Sequence, residues 1–289
     1  MQFRPHNYQS YCIDRLLELP AVGLFLDMGL GKTVTTLTAV KELKYHRFQV
    51  CKVLVIAPKK VAEATWSREA EKWDHLRDMR VSTVLGSRIK REKALARPAD
   101  LYVINRENVE WLVDYYRNDW PFDMVVIDES SSFKDQSTKR WKALKRVRPK
   151  IHRIVLLTGT PAPNTLIDLW AQLYLLDEGA RLGRTIGGFR ERYFQPDKRN
   201  AERVFTYKPK MGTEQAVQDL IGDICISMKA EDYLTLPECV SVDVPVVLDS
   251  KAAKAYTTME REMLLEVAED TITADTAAVL TNKLLQLAG

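Results

Sequence analysis

Five short apolar runs punctuate the first part of this chain: Val22 to Leu26, Val53 to Ala57, Leu101 to Ile104, Met124 to Ile127 and Ile154 to Leu157. Each is brief, rich in Val, Ile and Leu, and bounded by polar residues, which is the pattern of a buried strand rather than of a helix. Between them lie stretches with helical patterning, such as Val34 to Leu43 and Val61 to Trp73. A strand that is apolar at consecutive positions has to be covered on both faces, and the intervening helices supply that cover. The predicted fold class is therefore α/β, a parallel sheet between two helical layers.

The texture changes after Thr160. Leu166 to Leu176 reads as a strong helix, Gly179 to Gly188 is rich in glycine and arginine, and Pro196 to Lys210 is charged and reads as a loop. Val240 to Leu248 has the look of a strand and Lys251 to Glu269 of an amphipathic helix. The second half is expected to be a mainly helical appendage to the sheet.

The run Val22 to Leu26 leads into Asp27-Met28-Gly29-Leu30-Gly31-Lys32-Thr33, and a helical pattern follows. Strand, glycine-rich loop and helix form the context in which backbone N–H groups cradle a phosphate. Glycines allow the backbone to turn and approach the anion closely. The helix N-terminus presents unpaired N–H groups to the same anion. In that context Lys32 would reach the β- and γ-phosphates and the Thr33 hydroxyl would bind magnesium. The general pattern asks for a further glycine at position 26, where this chain has Leu26.

Met124 to Ile127 ends in Asp128-Glu129. An Asp at such a strand end completes magnesium coordination in phosphate-loop enzymes, and a neighbouring Glu can orient and deprotonate the attacking water. Ile154 to Leu157 ends in Thr158-Gly159-Thr160-Pro161, small hydroxyl residues able to sense the γ-phosphate and pass its state onward. Upstream, Gln9 has the amide that can bond an adenine edge at two atoms.

Bulk properties limit the alternatives. No apolar run approaches the ~18 residues of a membrane helix. The opening Met1-Gln2-Phe3-Arg4-Pro5 lacks a charged-then-apolar leader, so a cytoplasmic protein is expected. Cys12, Cys51, Cys225 and Cys239 form no C-x-x-C pair, which argues against a disulfide framework or a zinc site. The net charge of +4 neither requires nor excludes nucleic acid.

Taken together, these segments resemble the superfamily-two helicases and, within them, the Swi/Snf-type DNA translocases, over essentially the whole chain. Tyr8-Gln9 resembles the adenine-reading Q motif and Asp27 to Thr33 resembles motif I, which accounts for Leu26 in place of glycine. Val55-Ile56-Ala57-Pro58 with Trp66, Glu69 and Trp73 resembles motif Ia and its helix. Asp128-Glu129-Ser130-Ser131 is similar to the DExx box, and Leu157 to Pro161, then Asn164 and Leu169-Trp170, to motif III and the helix after it. Lys229, Asp232 and Leu236-Pro237 match the stretch leading out of the family's helical protrusion, and Lys283 to Leu287 the approach to its second lobe. Ser131 stands where the family usually has His, and Ile226-Ser227-Met228 where it usually has paired arginines. These departures suggest a viral or bacterial branch.

The resemblance implies a RecA-like ATP-binding lobe over residues 1–165, a protrusion-like insertion over 166–239, and a return strand and helix over 240–289. It implies ATP and Mg2+ as cofactors, with Gln9 and Met28 to Thr33 around the nucleotide. Thr33 and Asp128 would hold the metal. Lys32, Asp128 and Glu129 would be catalytic, and Thr158, Gly159 and Thr160 would couple hydrolysis to DNA. It further implies duplex DNA as partner. Lys59 and Lys60, at a helix N-terminus, and Asn105 and Arg106 after the third strand are expected to meet phosphates. The basic run from Lys139 to Arg148 reads either as phosphate contacts or as a solvated helix face. Trp66 and Trp73, seven apart on a helix, read as core packing. A second lobe is expected beyond Gly289, the alternative being a natural one-lobe protein, and without that lobe the chain, expected as a monomer, should hydrolyse ATP poorly. Two other readings stay open: a small-molecule kinase, and a non-catalytic lobe that uses nucleotide only to assemble.

Overall fold

The computed structural model describes residues 1–198 and 206–234, with isolated positions at 250, 253–254 and 256–258. The readings at Leu236-Pro237, Val240 to Leu248, Lys251 to Glu269 and Lys283 to Leu287 lie outside these residues or almost wholly so. Nine strands and ten α-helices are described. In chain order they are α1 (Asn7–Glu18), β1 (Ala21–Leu26), α2 (Lys32–Lys41), β2 (Val53–Ala57), α3 (Lys59–Lys72), β3 (Val81–Val84), α4 (Arg88–Ala96), β4 (Leu101–Asn105) and α5 (Val109–Tyr116). Then come β5 (Met124–Asp128), α6 (Lys139–Val147), β6 (Arg153–Thr158), α7 (Asp168–Asp177), α8 (Ile186–Tyr193), β7 (Phe194–Pro196), β8 (Tyr207–Pro209), α9 (Thr213–Ile221), β9 (Cys225–Met228) and α10 (Ala230–Tyr233).

Seven strands make one sheet in the order β3-β4-β2-β5-β6-β1-β9, and every pairing is parallel. Successive residues of each strand point to opposite faces. On one face Leu24, Val55, Val103, Val126 and Leu157 pack with α1, α2 and α3. On the other Phe25, Leu54, Ile104, Ile127 and Leu156 pack with α5, α6 and α7. All five apolar runs are strands of this sheet, and the α/β class follows from their double burial.

Two strands were not legible as apolar runs. Val81–Val84 and Cys225–Met228 are the sheet's two edges, β3 and β9, where alternate residues are only half-buried or exposed. β9 falls within the stretch read as a helical protrusion, so that stretch returns to the sheet before it ends. Ile226-Ser227-Met228 thus pairs with Leu24-Phe25-Leu26, and Ile226 and Met228 join the core. The charged stretch read as a loop from Pro196 to Lys210 also carries structure at its ends, where β7 and β8 pair antiparallel.

No helix among the described residues is long and apolar enough to cross a membrane. Cys12, Cys51 and Cys225 are free thiols.

Candidate active site

Parallel sheets carry their sites at the carboxyl ends of the strands. Read from β4 to β1, the neighbouring strand ends here bear Asn105, then Pro58-Lys59 beyond β2, Asp128, Thr158 and the loop Asp27 to Gly31. A cleft of about 740 Å³ opens over the nucleotide half of this rim. Gln9, Met28, Gly29, Gly31, Lys32, Thr33, Asp128 and Glu129 all line it.

The loop is shaped by its glycines. Gly29 and Gly31 have φ of 87° and 76°, a region that side chains disfavour. A Cβ at Gly31 would also stand 2.5 Å from Gln9 Nε2. The first backbone bond into α2 runs from Thr35 N–H to Gly31 O at 3.1 Å. The amides ahead of it are those that a helix N-terminus leaves for an anion. Leu30 is fully buried and acts through its backbone: its carbonyl accepts from Gln9 Nε2 at 3.3 Å. Gln9 Oε1 in turn accepts the His6 N–H at 2.9 Å. One N–H and one lone pair of the Gln9 amide are left over, the complement of an adenine edge.

Lys32 folds back on the loop, donating to the carbonyls of Leu26 at 2.6 Å and Asp27 at 3.1 Å. Burial holds its ammonium below the usual lysine range, against the opposing pull of Glu129, Asp128 and Asp27. Asp27 is itself anchored, accepting the Ala230 N–H at 3.0 Å and so tying the loop to the start of α10.

Asp128 follows Met124 and Val126 on the α1–α3 side of the sheet. Its Oδ2 accepts the Trp66 indole N–H at 3.0 Å and its Oδ1 the Glu129 N–H at 3.1 Å. Burial raises its carboxyl above the usual range, and the Trp66 N–H works against that rise. Glu129 has φ of 52°, a left-handed conformation that costs a non-glycine residue about 1–3 kcal/mol. Its Oε2 accepts from the Thr158 hydroxyl at 3.3 Å, and Thr158 Oγ1 accepts the Thr160 N–H at 3.1 Å. The hydroxyl segment and the carboxylate pair are thus in direct contact. Gly159 lies against the loop: a Cβ there would come 3.4 Å from Leu26 O.

A second link joins the same two strand ends. Ser130 Oγ donates to Gln172 Oε1 at 2.8 Å, and Gln172 Nε2 donates to Pro161 O at 2.6 Å and Asp168 O at 2.9 Å. Both Ser130 and Gln172 are fully buried. With serine rather than histidine at Ser131, the connection across to α7 runs through its neighbour Ser130.

The cleft wall takes in Phe3, Thr65 and Lys72, which carry no sequence signal, together with Glu69 and Trp73 of the α3 region. Trp73 donates to Glu69 Oε2 at 2.8 Å. Trp73 is therefore half-buried cleft lining, and Trp66 is a core residue that also bonds Asp128. The spacing 66, 69, 73 on α3 was the available signal, since residues three and four apart share one helix face.

The oxygen set fits magnesium. Thr33 and Asp128 line the same cleft, and each Asp128 oxygen takes one hydrogen bond and keeps a lone pair. No group of three or more His, Cys, Asp or Glu among the described residues forms a metal cage. Magnesium does not ask for one: it takes one or two protein oxygens together with phosphates and water.

The other half of the rim is exposed. Lys59 and Lys60 are exposed at the start of α3, with Lys59 loosely paired to Glu63 at 4.0 Å. Asn105 is buried, donating to Glu107 at 2.7 Å and accepting from Asn108, and Arg106 pairs with Glu107 at 3.0 Å. The structure therefore brings these residues to adjacent strand ends but engages the Asn105 amide internally.

The SNF2-related domain model matches residues 8–288. Protein p41 of Acyrthosiphon pisum secondary endosymbiont phage 1 is 37% identical over 292 residues, covering 99% of this chain and 64% of that one. The DNA excision repair protein ERCC-6-like of Mus musculus is 32% identical over 188 residues, 62% of this chain and 15% of its own length. Among solved structures, the Sulfolobus solfataricus SWI2/SNF2 ATPase core in complex with dsDNA has the same fold. Its TM-score is 0.65 at 22% identity, over 99% of this chain and 58% of that one. The chain spans less than two thirds of each of these relatives.

Proposed function

The chain belongs to the SNF2-related domain family, and from that premise we propose that it is the ATP-binding lobe of a motor that couples ATP hydrolysis to movement on duplex DNA. The observation that carries this reading is the adjacency of three strand ends: the phosphate loop after β1, Thr158 on β6 and Asp128-Glu129 on β5. A small-molecule kinase has no need of the contact between Thr158 and Glu129, whereas a motor needs its hydrolytic base tied to a segment that can report its state.

In this reading Gln9 meets the adenine edge and the amides at the start of α2 hold the phosphates. Lys32 exchanges its two carbonyl acceptors for phosphate oxygens, a gain because charge-assisted bonds are the stronger ones. Thr33 and Asp128 would hold Mg2+, which when bound neutralises phosphate charge. Glu129 orients the attacking water and takes its proton, while Thr158 fixes the carboxylate through Oε2. Gly159 and Thr160 carry any change at Glu129 outward. Lys59, Lys60 and Arg106 contact DNA phosphates, which carry no sequence information. The domain division drawn from the sequence is part of this proposal, with β9 returned to the lobe. We place the motor in the cytoplasm of a bacterial or infected cell, working as a monomer.

Finger arginines from a second lobe are worth about 10³-fold or more in comparable enzymes. This chain alone should bind ATP yet turn it over slowly, and a longer form carrying the second lobe should be stimulated by duplex DNA. The decisive measurement is ATPase activity of both forms with and without duplex DNA, with Lys32→Ala as control. Strong DNA-stimulated turnover by this chain alone, or none by the longer form, would sink the reading. A non-catalytic assembly lobe would show itself if Glu129→Gln left the longer form's activity unchanged.

A further inference from the structure

Trp66 looks at first like a core residue, fully buried on the α3 face that packs against the sheet. A buried indole N–H needs an acceptor. Here the acceptor is Asp128 Oδ2, at 3.0 Å and 62 positions along the chain. The other oxygen, Oδ1, is held by the Glu129 N–H. Both donors are fixed, one by a locked ring and the other by the backbone, so the carboxylate has one orientation. Indole suits the task because it only donates: it neither competes for the metal nor accepts a bond that would turn the carboxylate away.

We infer that Trp66 is a positioning residue for Mg2+ binding, aiming the Asp128 carboxylate into the cleft beside Thr33. The inference rests on the nucleotide-binding reading above and assigns α3 a role in it. Groups that orient a metal ligand from behind typically matter about 10–100-fold for metal affinity.

The test is binding of a fluorescent ATP analogue to the full chain, with Mg2+ and with EDTA. Trp66→Phe should lose about 10-fold or more of the affinity that Mg2+ adds, while binding in EDTA stays within about twofold. Trp170→Phe is the control, since Trp170 is equally large and buried but donates to Gly183 O at 3.0 Å, away from the cleft. It should keep the whole Mg2+ increment. A full increment in Trp66→Phe overturns the inference, as does an equal loss in EDTA. Absence of Mg2+-dependent binding in the unaltered chain would instead overturn the nucleotide reading itself, and this inference with it. Should Trp66→Phe fold poorly, Asp128→Asn with Trp66 intact gives a second measurement. Of the six indole N–H resonances, one should move on this substitution, and the same one should move in the unaltered chain when Mg2+ is added to the ATP-bound form. No such shared resonance would also overturn it.

Discussion

The two halves of the carboxyl rim are built from similar strand ends but in opposite ways. On the β1, β6 and β5 side the polar groups sit in a cleft and lean on one another: Lys32 on the loop carbonyls, Glu129 on Thr158, Asp128 on Trp66. On the β2 and β4 side Lys59 and Lys60 stand in solvent and Arg106 pairs with its own neighbour. Under the proposed function the contrast would match two kinds of ligand. A single nucleotide rewards groups fixed in advance, because positioning lowers the barrier only if the geometry is already there. A charged polymer bound by its backbone rewards mobile cations, since its affinity comes mostly from counterion release.

Five substitutions, taken from the largest expected effect downward, sharpen or break this contrast. Glu129→Gln should lower kcat of a form carrying a second lobe by about 10²–10⁴-fold while Mg·ATP binding persists, read from single-turnover kinetics beside a binding titration. Lys32→Ala should cost about 10²–10³-fold in turnover and weaken nucleotide binding as well, because Lys32 would hold the phosphates in the ground state and more strongly as charge develops in the transition state. Gln172→Leu leaves Ser130 and the Pro161 carbonyl without their partner. It should destabilise the fold by about 1–3 kcal/mol, seen as a lower urea midpoint at unchanged slope. Lys59→Ala and Lys60→Ala should leave nucleotide binding untouched. Each should reduce the salt dependence of DNA binding by about one unit of slope, whatever the DNA sequence. If either lysine variant weakens ATP binding without DNA present, the two halves are not separate and the contrast fails.

What the sequence discloses follows the same physics. The five central strands are buried on both faces, so they stand out as apolar runs. The edges β3 and β9 have only partial cover, and the mixed Val81-Ser82-Thr83-Val84 and Cys225-Ile226-Ser227-Met228 carry no such mark. The phosphate loop and Asp128-Glu129 are legible because their chemistry is local, fixed by neighbours along the chain. Trp66 and Gln172 are not, because each owes its role to a partner far away in sequence, Asp128 for one and Ser130 for the other. A buried tryptophan or glutamine says only that an acceptor or donor exists somewhere.

The placement of β1 has a further consequence for how the molecule comes into being. It is the first described strand in chain order, yet its neighbours in the sheet are the sixth and the ninth, with Ala21 paired to Ile154 and Gly23 to Cys225. Such distant pairings close late, after the more local contacts have formed. The strand that carries the glycine loop is flanked on both sides only once Cys225–Met228 has been made, and the Ala230 N–H that donates to Asp27 comes two residues later still. Until Ala230 has been made, the loop that follows β1 lacks both its second flanking strand and the amide that anchors it.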